Sequence, residues 1–422
     1  MGKRIVVVSL LALFFCHLMP SASYPDSAEV LPKGRFRFGV DGKFYFPIDE
    51  RYDPDGDTED VAADYNRTLD SRVFPDLQLV EIGFGMPPGS ANIGDSVISF
   101  EYGFQIFEFS FQYGITDKLT AGIMIPYWKA KSHVNAVLDT SNATVGLNPF
   151  FGMPGDPFLG APIVPTALGG VPLTTQQAQL LIGPGLDIDV DGTIDIPGYG
   201  YEPVKSWSKN GFSDIEAGFR YQYLKTENFR LAFTGGVRFP TGEVDDPDIL
   251  TDYGLGSGAY ALLFHFNHDY IGIKNLVLNG TFRYELYLPD KEKKRVPDDP
   301  NQPLTTNEEK VDRNLGDIIE LEVSGTYEFL EGLNLWLLYQ FGYAMKDHIS
   351  GDMGFNYDSL EDESRQTEHI GIIGLSYSTI PLFIKKKFPL PLTANVYYRN
   401  RFAGSGNVFK SQYIGLMLAV YF

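Results

Sequence analysis

The chain has 422 residues, 44 of them glycine, 14% aromatic residues and a formal net charge of −20. Its single cysteine excludes a disulfide framework and a cysteine metal site, and its acidity argues against nucleic acid as a partner. The mean hydropathy of −0.12 looks soluble, yet it also suits a transmembrane β-barrel, where lumen-facing polar and lipid-facing apolar residues alternate and average out.

The N-terminal stretch has a short basic start, Met1–Arg4, an apolar run, Ile5–Phe15, and small residues at Ser21 and Ser23. This is the pattern of a secretory signal peptide over residues 1–23, cleaved before Tyr24; the run is too short for a membrane-spanning helix. Cys16 lies inside it, behind two phenylalanines where a lipid-anchor signal would place small residues, so no lipid anchor is expected. No later window is apolar for the length a spanning helix needs.

From residue 24 to 422 the recurring signal is alternation with a period of two, the mark of strands whose faces meet different surroundings. Twelve segments carry it, at roughly 35–47, 96–116, 118–138, 211–225, 228–241, 256–270, 275–288, 314–330, 332–348, 367–380, 391–402 and 411–422. In the fifth, Phe229, Leu231, Phe233, Val237 and Phe239 oppose Arg230, Thr234 and Arg238; in the eighth, Ile319, Leu321, Val323, Tyr327 and Phe329 oppose Glu320, Glu322, Ser324, Thr326 and Glu328. The second changes phase near Ile106–Phe107. Ile98, Phe100, Tyr102 and Phe104 are in register before that point, and Phe109, Phe111, Tyr113 and Ile115 after it, which predicts a β-bulge there.

The links alternate between short (116–117, 226–228, 272–275, 330–332) and long and polar (about 49–95, 139–210, 242–255, 289–313, 349–366). That is the rhythm of periplasmic turns and extracellular loops, and the long links hold nearly all of the acidic excess. The last segment ends on Ile414, Leu416, Leu418, Val420 and Phe422 at every second place. It reads as the closing strand of a barrel, paired with the first so that no sheet edge faces lipid. Phe422 resembles the terminal aromatic of the signal by which the barrel-assembly machinery recognises outer-membrane proteins. The fold expected is therefore all-β: a transmembrane antiparallel up-and-down β-barrel of about 12 strands in the bacterial outer membrane. It has long extracellular loops and a Pro/Gly-rich insertion at 139–210.

Three stretches carry a family resemblance: "YGITDKLTAGIMIPYW" (113–128), "GFSDIEAGFRYQY" (211–223) and "GGVRFPTGE" (235–243). They resemble the bacterial MetA-pathway of phenol degradation family of outer-membrane β-barrels, well over the second to fifth segments and elsewhere only as repeated hairpins. The resemblance implies a barrel and the uptake of small organic compounds, and does not identify the compound.

Few residues suggest chemistry. "IGDSVIS" around Ser96 resembles the start of a GDS-type lipase, but no histidine from His133 onwards has aspartate three places earlier, as the Asp-x-x-His of such an enzyme requires, and no Gly-x-Ser-x-Gly occurs. No enzyme is expected. Asp187, Asp189, Asp191 and Asp195 occupy positions 1, 3, 5 and 9 of an EF-hand-like calcium loop, but Gly198 stands where the bidentate glutamate belongs, so any calcium site is weak. No other cofactor is implied. Residues 148–173 are Pro- and Gly-rich yet apolar, with Phe150, Phe151 and Phe158 as candidates for a gate over the pore or a cap on neighbouring loops; Thr174 and Gln177 then offer a helix-capping pair. The lumen candidates are Arg35, Arg37, Arg220, Arg230, Arg238, Arg283, Arg399 and Arg401, with Glu216, Glu285, Glu320, Glu322 and Glu328. They suit either solute contact or a salt-bridge lattice filling the interior. The reading is a channel passing small organic, in particular aromatic, solutes by diffusion, with outer-membrane lipid as its surroundings; the alternative is a non-conducting structural or receptor-like barrel.

Overall fold

The computed structural model describes residues 25–297 and 304–422; the expected signal peptide and Tyr24 lie outside the described residues. Twelve antiparallel strands close a barrel. They are β1 (Phe36–Tyr45), β2 (Asn92–Thr116), β3 (Leu119–Asp139), β4 (Ile215–Lys225), β5 (Phe229–Phe239), β6 (Ala261–Ile273), β7 (Leu276–Tyr287), β8 (Ile318–Leu330), β9 (Leu333–Ala344), β10 (Gln366–Ser378), β11 (Leu392–Ser405) and β12 (Gln412–Tyr421). Each pairs with the next, and β1 joins β2 on one edge and β12 on the other, from Arg37↔Tyr421 to Tyr45↔Tyr413. The closure reaches the last residue: Phe36 N–H donates to the Phe422 carbonyl at 3.1 Å and Phe422 N–H to the Phe36 carbonyl at 2.9 Å. Among the described residues no helix is long and apolar enough to cross a membrane.

The alternation sorts side chains between lipid and lumen. Val323, Leu337, Leu416 and Leu418 are each half-exposed or more on the outer face, as residues that meet lipid must be. On the inner face of the same strands stand Glu322, Leu338, Gly415 and Met417. Segment bounds agree with the periodicity to within a few residues, with two exceptions. The fourth is broken at Ser213–Asp214, because the Asp214 carboxylate turns to accept the Gly242 and Ser257 N–H groups at 2.9 and 2.7 Å. The sixth starts at Ala261, since the glycine-rich stretch before it packs against that same aspartate.

The bulge expected near Ile106–Phe107 does not occur. β2 and β3 pair without a break from Asp95↔Asp139 to Gly114↔Thr120, with Ile106 opposite Trp128 and Phe107 opposite Tyr127; the register shifts only at Gly114/Thr116, beside the turn. Even-numbered side chains of β2 point inward from Ile98 to Gln112, on both sides of Ile106–Phe107. What changes is the environment. Below Phe107 the outer face meets lipid and carries the aromatics; beyond it the hairpin projects past the membrane, so the outer face meets water and the inner face a packed interior. Phe100, Tyr102, Phe104 and Ile106 are accordingly buried, whereas Phe111 and Tyr113 are exposed.

The long links form a cap at this extracellular end. Its main core joins Leu77 of the helix α1 (Leu77–Phe84), Ala178 and Leu181 of the helix α2 (Thr175–Ile182), and Val145, Ile163, Leu186 and Tyr201 from the 139–210 insertion. α2 starts at the expected capping box: Gln177 N–H donates to Thr174 Oγ1 at 3.3 Å, and Thr174 N–H to Gln177 Oε1 at 2.9 Å. Arg295 ties the loops together, donating to the carbonyls of Tyr199, Gly200 and Thr305 and to Asp248.

Candidate functional site

The lumen is where charged and aromatic side chains converge. Its least expected occupant is the N-terminal segment itself. Residues 25–31 lie along the inner wall, and the chain then turns into β1 at Gly34, whose φ of 79° suits glycine. Among the described residues no strand pairs with this strap; wall side chains take up most of its backbone groups. The Asp26 carbonyl accepts from Asn267, Asn279 and Thr281 at 2.8, 3.1 and 3.0 Å. The Ser27 carbonyl accepts from Arg220 at 2.6 Å and the Ala28 carbonyl from Gln222 at 2.8 Å. Asp26 N–H donates to Glu322 at 3.0 Å, Ala28 N–H to Asp269 at 3.1 Å and Leu31 N–H to Thr120 Oγ1 at 2.8 Å. The Asp26 carboxylate meets Arg220, His265 Nδ1 at 3.0 Å and Arg283 Nε at 3.4 Å.

Behind the strap, β4–β8 present a lattice of largely buried ion pairs, joined at one point by the exposed Glu29 of the strap. Arg238 reaches Glu216 at 2.8 Å and Glu285 at 2.6 Å. Arg283 reaches Glu320 at 3.0 Å and Glu322 at 2.6 Å, and Arg230 lies 3.0 Å from Asp269 and 3.1 Å from Glu29. Charges removed from water persist only when matched in this way. On the facing wall, β9–β12 carry an apolar cluster of Trp336, Leu338, Ile370, Ile372, Tyr397 and Tyr413 beside the buried polar side chains of Gln340, Glu368, Asn395, Arg399 and Arg401. At the extracellular end of β11, Arg401 donates to Glu368 at 2.7 Å and to the Phe409 carbonyl, while Arg399 donates to Ser411 Oγ at 3.0 Å and lies over the Tyr413 ring. A cavity of about 1410 Å³ runs beside the strap, bordered by Arg37, Met124, Arg220, Leu263, His265 and Met417 and reaching Tyr421 and Phe422 at the periplasmic rim.

Above the cavity the mouth is filled with rings. Tyr102 and Phe104 of β2 meet Tyr253 and Phe409 from two separate loops, with centroids 5.2 Å apart for Tyr102–Phe409 and 5.1 Å for Phe104–Tyr253; Tyr45 of β1 closes on Phe104 at 5.9 Å. Tyr102 also donates from its hydroxyl to the Thr251 carbonyl at 3.1 Å.

The 148–173 phenylalanines lie elsewhere. Phe158 packs on Phe84 of α1 at 6.2 Å and beside Phe150 at 6.5 Å, and Phe150, Phe151 and Phe158 do not border the cavity. Asp187, Asp189 and Asp195 each bring a carboxylate oxygen within 4.8 Å of the others, whereas Asp191 accepts the Thr193 N–H at 2.7 Å. A glutamate could not stand at Gly198, because a Cβ there would come within 2.0 Å of the Gly183 carbonyl. The Ser96 hydroxyl is engaged with the Tyr65 and Arg67 carbonyls, as a tie between loop and strand.

The sequence pattern of the MetA-pathway of phenol degradation family matches residues 84–410, most of the chain. The chain belongs to this family. No curated protein matches it. Among solved structures, the COG4313 outer membrane channel from Pseudomonas putida F1 superposes with a TM-score of 0.53 at 12% identity, covering 94% of this chain and 99% of that one. A FadL homologue from Pseudomonas aeruginosa gives 0.34 at 9% identity, over 93% and 90%. The CymD monoaromatic hydrocarbon channel gives 0.35 at 10%, over 93% and 89%. The closed barrel, its apolar outer band and the family place this protein in the bacterial outer membrane.

For this member of the family, sequence reasoning missed the strap, since residues 25–31 are too few and too irregular to show a period. It also missed the aromatic mouth, although the phase reversal on β2 was its signature.

Proposed function

We propose that this protein is a diffusion channel that passes small organic solutes, aromatic ones included, across the outer membrane. The observation that carries the reading is the cavity of about 1410 Å³, lined by the charged side chains of Arg220, Arg238 and Glu285 and by apolar ones such as Met124, Leu263 and Met417. Such a lumen suits a solute with one polar and one apolar side. The ring cluster of Tyr45, Tyr102, Phe104, Tyr253 and Phe409 offers such a solute an apolar, aromatic threshold from the cell surface. Family membership and the channel fold shared with the Pseudomonas putida protein support the same reading. Passage by diffusion requires no catalytic group and no cofactor, and the Asp187–Asp189–Asp195 grouping does not border the cavity. Phe422, bonded to Phe36 at the closing seam, is the residue we assign to recognition by the assembly machinery.

The packed mouth and the strap favour a second reading, a non-conducting barrel that displays its loops. Liposome swelling separates the two. Proteoliposomes should swell in small aromatic solutes such as benzyl alcohol or benzoate faster than protein-free liposomes, and more slowly in a trisaccharide. Equal rates with and without the protein would favour the scaffold.

A further inference from the structure

The strap rests in a niche built of donors. Asn267, Asn279 and Thr281 converge on the Asp26 carbonyl, and Arg220, His265 and Arg283 converge on its carboxylate. The three basic groups are not equivalent. Arg283 keeps Glu320 and Glu322 on the wall whatever the strap does. Arg220, among the described residues, has Asp26 as its one ion-pair carboxylate, and its other bonds go to Thr234 and to the Ser27 carbonyl; His265 meets Asp26 directly and feels the wall carboxylates Glu216 and Glu285 as well. A wall arginine whose counter-charge comes from outside the wall is unmatched as soon as that segment moves, and an unmatched charge in a narrow lumen is costly. The strap has the means to move. Among the described residues it is in no strand pairing, and it joins the barrel through Pro32–Arg35 with glycine at the turn.

We infer that Arg220 and His265, with Arg283 beside them, form a carboxylate-binding site in the lumen that the chain's own Asp26 fills at rest and that a small monocarboxylate takes over by exchange. The inference rests on the lumen being a solute path and adds the chemistry recognised along it. Exchange of one carboxylate for another keeps Arg220 matched, and Arg230, which would lose the strap's Glu29, keeps Asp269 on the wall. The planar guanidinium of Arg220 suits a carboxylate in a way that a neutral hydroxyl cannot reproduce. The cavity borders Arg220, His265 and Arg283, so an incoming solute reaches the niche before the strap has left it.

A thiol on the strap reports the exchange without any need for conduction. Ala28 is fully buried, and Ala28→Cys in a Cys16→Ser background gives a chain with one cysteine. Maleimide labelling of the purified, detergent-solubilised barrel should be slow and should accelerate about tenfold in saturating benzoate, the scale of a modest population shift. Benzyl alcohol, the neutral counterpart, should leave the rate unchanged. Adding Arg220→Gln should make labelling fast without benzoate and insensitive to it. A rate that ignores benzoate, or that responds equally to benzyl alcohol, overturns the proposal, and so does slow labelling of a folded Arg220→Gln variant. Because benzoate acts on the Ala28→Cys protein with its wall intact, a folding defect in the arginine variant leaves the first comparison decisive. A barrel that responds to benzoate yet never conducts would refute the channel reading and not this site.

Discussion

Arg238 shows what a single lumen residue contributes. It is buried, and it is the counter-charge of both Glu216 and Glu285, with the Tyr287 hydroxyl at 3.1 Å as a third contact. Replacing it with methionine keeps the volume and strands two carboxylates, a loss of about 3–5 kcal/mol for breaking a buried pair. The temperature at which the folded band is lost on a heat-modifiability gel should fall clearly for Arg238→Met, and recover in part when Glu285→Gln is added. In the cap, burial pushes the Asp347 carboxyl up to about 6 from its ordinary 3.8, against the Gly316 N–H bond at 2.7 Å and the charges of Arg313 and Lys294, which favour the carboxylate. The folded state thus binds this proton more tightly than the unfolded one. Its contribution to stability is full below about 3.8 and is lost as pH rises through about 6. Hydrogen exchange in residues 345–365, corrected for intrinsic rates, should be slower at pH 5 than at pH 7.5, and Asp347→Asn should remove the difference while keeping the Gly316 bond. Side-chain alternation made the lumen arginines and glutamates legible from the sequence. Their pairing was not, because partners such as Arg283 and Glu320 sit on different strands, and only the register brings them together.

At the scale of the element, period-two patterning and link length were enough to lay out the strands. A strand with lipid on one side and lumen on the other has to alternate, and a turn of two to four residues has to join neighbours. The limit appears on β2. Periodicity tells which residues share a face and is silent on what that face meets, so the passage of the hairpin out of the membrane at Phe107 looked like a slip in register. The distinction can be tested on β12. Leu418→Arg, on the lipid face, should reduce membrane assembly, in keeping with about 2–4 kcal/mol for arginine near the bilayer midplane. Met417→Arg, one residue away and facing the cavity, should assemble as the wild type does. Comparable losses for both in fractionated outer membranes would contradict the assigned faces. The terminal residue belongs to the same seam: Phe422→Ser should still reach the periplasm and should assemble less well.

The whole molecule combines a sealed wall with a lumen that is obstructed in two places by different means. A strap held by hydrogen bonds and ion pairs lies along the periplasmic half; rings of Tyr102, Phe104, Tyr253 and Phe409 fill the extracellular mouth. Between the walls lies a space large enough for a small organic molecule. Whether this space conducts is read by single-channel recording of the purified protein in a planar bilayer. Small discrete steps are expected for the wild type and larger ones for Tyr253→Ala, which removes the ring that meets both Phe104 and Phe409. Silent bilayers for both proteins, with the barrel shown to be inserted, would contradict the channel reading.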